Sequence, residues 1–169
     1  MVAEQLVERT RDMILAEIKA KISAALLAVR TERSDPRVTT EIPRQYFIFD
    51  GAHTYNCPAV FVVVDSMDFP ESSYGPNHIN NLVKIYCSAV VEDRDMAFLT
   101  IKAERYQAAL CRILHRTILQ DDPNFIKIYS RVLRAEFSPI FTRKEKTNEG
   151  IFRKEVSLEL EVKHFENPN

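Results

Sequence analysis

Glu155-Val156-Ser157-Leu158-Glu159-Leu160-Glu161-Val162-Lys163 alternates polar and apolar residues without a break. Side chains of a strand point to opposite faces in turn, so Val156, Leu158, Leu160 and Val162 share one face and the charged residues the other. One face is therefore buried and the other meets water or a partner, the pattern of an antiparallel sheet with a single covered side.

Working back from this strand, residues 142–150 read Thr-Arg-Lys-Glu-Lys-Thr-Asn-Glu-Gly, a charged hairpin loop. Residues 126–140 before it are strand-like up to the interruption at Ser138-Pro139. The clearest helical stripe runs over 96–119, where Met96, Leu99, Ala103, Tyr106, Leu110, Ile113, Leu114 and Ile118 recur at helical spacing. Glu92-Asp93-Arg94-Asp95 places acids where a helix start has unpaired N–H groups, and Asp121-Asp122-Pro123-Asn124 ends the stripe. Residues 82–91 form a strand with Val83, Ile85, Cys87, Ala89 and Val91 on one side.

Further back, residues 65–81 hold Pro70, Ser72, Ser73, Gly75, Pro76, Asn77 and Asn80, a composition that predicts a long exposed loop. Residues 59–64 are a β-branched strand. Tyr46-Phe47-Ile48-Phe49 is a short aromatic strand closing at Asp50-Gly51, and its apolar side chains suit either a core or a subunit contact. The chain opens on a helix over about 3–33, with Leu6, Met13, Ile14, Ile18, Ile22, Ala25, Leu26 and Val29 on its stripe. Pro36 ends it. These elements predict one α+β domain over 1–169: a mainly antiparallel sheet of about four to five strands with two long helices packed on one side.

The totals narrow the function. With 169 residues, 46% hydrophobic and 28% charged, the chain has the material for one packed core. Its net charge of −1 argues against tight phosphate binding as the main task. No apolar run reaches the roughly 20 residues of a membrane span, and the first eleven residues lack the pattern of a signal peptide. Cys57, Cys87 and Cys111 are odd in number and widely spaced, which suggests reduced thiols. Three glycines leave little room for a phosphate-cradling loop.

Each constellation that suggests chemistry has a plainer explanation. His53 and Cys57 lie four apart, but structural zinc sites use closely spaced cysteine pairs, and His78, Cys87, Cys111, His115 and His164 supply none. Cys111 and His115 share a helix face at i and i+4, more simply a core cysteine beside a surface histidine. Asp65 and Asp68 suit general acid–base or magnesium chemistry, yet acids at strand ends are usually solvated. Lys102, Arg105, Arg112 and Arg116 lie off the second helix's stripe, where a basic face can grip phosphate, but Glu104 interrupts it. No catalytic residue, cofactor or metal ligand is expected.

The helix through Ile14, Ile18, Ile22 and Leu26, the strand–turn–helix unit from Val83 through Asp93 to Leu119, and the terminal strand 156–162 together carry a resemblance. In architecture the chain resembles the tail-terminator and tail-completion proteins of tailed bacteriophages. That resemblance implies a hexameric ring of identical subunits that caps the tail tube, meets the neck or connector proteins, and lets DNA pass without tight binding. It implies a place in the virion tail or neck, assembly in the host cytoplasm, and no membrane partner. The expected contacts are Asp68, Glu71 and Tyr74, then Arg143, Lys144 and Lys146, then Glu159 and Glu161 on the last strand. The alternatives are another head-completion or connector protein, or a small metal-dependent nucleic-acid-processing enzyme using Asp65, Asp68 or the late acids Glu159 and Glu161.

Overall fold

The computed structural model describes residues 3–33, 40–49, 55–68, 79–119, 125–142 and 150–166. In chain order these form α1 (Ala3–Arg33), β1 (Gln45–Phe47), β2 (Ala59–Asp68), β3 (Ile79–Asp93), α2 (Met96–Leu114), β4 (Thr117–Leu119), β5 (Phe125–Phe137), β6 (Phe141–Thr142) and β7 (Phe152–Glu166). The strands make one sheet in the order β1-β2-β3-β7-β5-β4, with β6 also paired to β7. Every pairing is antiparallel except β1 with β2.

The alternating residues 155–163 belong to β7, which lies in the middle of the sheet between β3 and β5. Its apolar residues Val156, Leu158, Leu160 and Val162 are fully buried. They stand opposite Ala89, Cys87, Ile85 and Val83 of β3 in register. Both helices cover this same face. Leu99, Ala103, Tyr106, Leu110 and Leu114 of α2 enter one core with it, joined by Ile14, Ile18, Ile22, Leu26 and Val29 of α1. The near-constant four-residue step on α1 puts these side chains in a single line along the helix. Burying each such side chain contributes about 1.5–3 kcal/mol.

Local chemistry sets the ends of α2. The Asp95 carboxylate accepts from the backbone N–H groups of Ala97 (2.7 Å) and Phe98 (3.1 Å), filling the role expected of the acidic run. At the other end the Ser130 hydroxyl donates to the Leu114 carbonyl at 2.7 Å, and Thr117 to the Ile113 carbonyl at 2.6 Å. Carbonyls that the helix leaves without partners are thereby bonded to the neighbouring strands.

Three expectations need correction. Among the described residues the sheet has seven strands rather than four or five, because β4 and β6 span three and two residues, too few to show a period of two. The second helix stops at Leu114 rather than 119: His115 is extended, Arg116 takes φ 57°, and the chain turns into β4. Ile118, expected on the helix stripe, is instead a strand residue 62% exposed. The expected loop 65–81 is shorter, since β2 continues through Asp68 and β3 begins at Ile79. Residues 69–78 and most of the charged hairpin loop 142–150 lie outside the described residues.

Candidate interaction surface

Because both helices pack on one face, no element among the described residues covers the middle of the opposite face. Period-two alternation delivers the intervening residues of each strand to it. Across the middle, Lys84 of β3 stands opposite Glu161 of β7, which stands opposite Arg131 of β5. The next row is Tyr86, Glu159 and Arg134, followed by Ser88, Ser157 and Glu136. In the first two rows the acid stands on the central strand and a base on β5, while Glu136 of β5 and Lys163 of β7 add the opposite charge on each strand.

The ion pairs run both across strands and along them. Glu161 lies 2.9 Å from Lys163 and 3.5 Å from Arg131, Asp68 lies 3.7 Å from Lys84, and Arg134 pairs with Glu136. Opposite charges facing each other across strands contribute about 0.2–1 kcal/mol each, and exposed pairs toward the lower end. A shallow cleft of about 60 Å³ among Tyr86, Arg134, Glu136, Ser157 and Glu159 marks the centre of the face. Tyr86 is 43% exposed there. Such a surface offers hydrogen bonds, charges of both signs and one aromatic ring to a partner.

Of the residues expected to make contacts, Asp68, Glu159 and Glu161 fall on this one face, Asp68 at its rim beside Lys84. Glu71, Tyr74, Arg143, Lys144 and Lys146 lie outside the described residues. The basic face expected on the second helix is dispersed. Arg105 is buried at 1% exposure, Lys102 pairs with Asp93 at 2.6 Å, Arg112 reaches Glu32 of α1, and Arg116 lies beyond the helix. A helix lodged between a second helix and a sheet buries more than one stripe, and the periodicity did not reveal that wider arc. Cys111, expected in the core, is only half-buried, whereas Cys87 is enclosed and burial pushes its thiol up to about 12. Among the described residues no group of three or more His, Cys, Asp or Glu is placed to hold a metal ion.

Two polar fixtures escaped the sequence reading. Arg153 has the alternation of an open-face residue yet is 5% exposed. It donates to Glu92 (3.2 Å) and to the Tyr55 carbonyl (3.2 Å), and its guanidinium lies over the Tyr55 ring at 4.7 Å. Tyr55 in turn joins Phe47 and Phe61, whose ring centroids are 4.9 Å apart, in a small aromatic cap over Ala59 and Val90. This cap closes one corner of the open face. The buried His164 places Nε2 2.9 Å from the Thr10 hydroxyl, tying α1 to β7 across 154 residues of sequence. No local signal marks either contact, since the partners are far apart in the chain.

No family model matches this chain, and no curated protein matches it. Among solved structures it is similar to a chain of the virion of a native gene transfer agent particle, at 15% identity and a TM-score of 0.41. The overlap covers 86% of this chain and 97% of that one. It transfers no residue role and no activity to this protein.

Proposed function

We propose that this chain is a structural virion protein, a subunit of a ring that caps a tail tube and joins the tail to the neck. The observation that carries the reading is the one-sided sheet: among the described residues two helices cover one face, and the other presents a charge-patterned surface centred on Glu159, Glu161 and Tyr86. A surface of compensated ion pairs around a shallow cleft supports assembly better than catalysis, because charges that neutralise one another hold no group poised for proton transfer. The overall charge of −1 suits a conduit through which DNA passes without being gripped.

In this reading the open face meets the tube or neck protein, and Glu71, Tyr74, Arg143, Lys144 and Lys146 extend the contact. Negative-stain imaging of the purified chain with isolated tail tubes tests it. The expected result is a density capping one end of each tube, weakened by Glu159→Lys with Glu161→Lys. Tubes left bare at every protein concentration would overturn the reading.

A further inference from the structure

The two ends of the sheet are built differently from its middle. At one end, β4 pairs only with residues Ile128, Tyr129 and Ser130 of β5. Among the described residues the outer edge of β5 is therefore unpaired from Arg131 to Phe137. A bulge falls at Leu133, and Leu133 and Phe137 are 42% and 44% exposed. Between this edge and α2 lies a groove of about 530 Å³, floored by Cys111, Val132, Leu133 and Ala135 and rimmed by His115 and Arg134. At the other end, among the described residues, β1 pairs only with β2, and next to it Ile48 and Phe49 are 42% and 53% exposed.

We infer that copies of this chain join head to tail, with the β1 edge of one copy set against the β5 edge of the next and its Ile48–Phe49 side chains filling the neighbour's groove. This rests on the ring reading above and gives it an interface. Charge selects this pairing over two like edges meeting. Residues 115–119 and 125–142 carry four basic residues (Arg116, Lys127, Arg131, Arg134) against one acidic, Glu136. Residues 40–49 and 55–68 carry three acidic residues (Glu41, Asp65, Asp68) against one basic, Arg44. Arg131 and Arg134 are paired with Glu161 and Glu136, and Glu41 and Asp68 with Arg44 and Lys84. With these pairs set aside, Arg116 and Lys127 are left for the β5 end and Asp65 for the β1 end. So β5 against β1 brings opposite charges together, where two β5 edges would bring like charges together. The bulge at Leu133 restricts continuous pairing to the short stretch beyond it, and β1 is three residues long. An interface between two different edges repeats from copy to copy, so it generates a ring when the rotation closes.

The test uses two variants of exposed residues, each checked for fold by circular dichroism. One carries Ile48→Asp and Phe49→Asp, the other Leu133→Asp and Ala135→Asp in the groove, away from the open face. In analytical ultracentrifugation the wild-type chain is expected to form multimers that weaken as salt rises. Each variant alone is expected to be monomeric, with association reduced roughly tenfold or more per apolar anchor lost. Mixed in equal amounts they are expected to form a one-to-one dimer and nothing larger, since each keeps one working edge. A monomeric wild type, variants that assemble as the wild type does, or a mixture that stays monomeric would each overturn the inference. Tube imaging keeps the two proposals apart: both variants capping tubes with intact rings would sink the edge contact alone, whereas wild-type multimers beside bare tubes would sink only the capping role.

Discussion

The two faces of β7 share one backbone and one set of hydrogen bonds, yet they do opposite work. On the inner face Val156, Leu158, Leu160 and Val162 are fully enclosed beneath two helices. On the outer face Glu159 and Glu161, each partly buried, stand opposite Arg134 and Arg131 of β5. The inner face holds the fold together, and the outer face is the one proposed above for contact. Stability should therefore track the inner set, and binding the outer.

The largest expected effect is on the inner face. Leu160→Ala removes a fully buried side chain from the central strand and should cost about 2–5 kcal/mol in urea unfolding. A loss below about 1 kcal/mol would break the contrast, because a site that collapses so readily is not close-packed. Next comes Arg153, an outer-face residue that behaves like core. Arg153→Ala strands the Tyr55 carbonyl and Glu92 and should cost about 2–3 kcal/mol by the same measurement. A cost near that of a surface substitution would return Arg153 to the open face.

Thr10→Val keeps the volume of the buried side chain but removes the hydroxyl beside His164, and should cost about 1–2 kcal/mol. Exchange of β7 amides measured by NMR would show whether the loss is local to the α1–β7 tie. The Asp93 carboxyl gives a pH signature. Burial pushes it up, but the Asp95 backbone N–H at 2.9 Å and the Lys102 ammonium at 2.6 Å hold it on balance below the ordinary carboxylate value. A depressed folded-state pKa contributes stability above the unfolded value of about 3.9, and loses it as pH falls through the folded value. Asp93→Asn should therefore lower stability at neutral pH and flatten the acid limb below about pH 4; an unchanged acid limb would count against the ion pair. The smallest effect belongs to the outer face. Glu159→Gln should change stability by no more than about 0.5 kcal/mol while weakening tube capping, and a large loss of stability would show that the outer face is structural.

Much of this was legible because the decisive patterns are local. The alternation of residues 155–163 and the stripe of Ile14, Ile18, Ile22 and Leu26 each name a buried face, since a strand repeats every two residues and a helix every 3.6. The capping role of the acidic run before α2 was legible for the same reason. The alternating strand also announced that Glu159 and Glu161 point away from the core.

What the sequence by itself determined, then, is the class of fold: two amphipathic helices, strands with one apolar side, and charged residues for the other. Only the tertiary structure decided that β7 is central rather than peripheral, that Arg105 and Arg153 are buried, and that apolar side chains remain at both ends of the sheet. Strand order, and the burial of a cation far from its partners in the chain, depend on which distant segments come together. Local periodicity carries no record of that choice, because the same alternation suits a central strand and an edge strand alike.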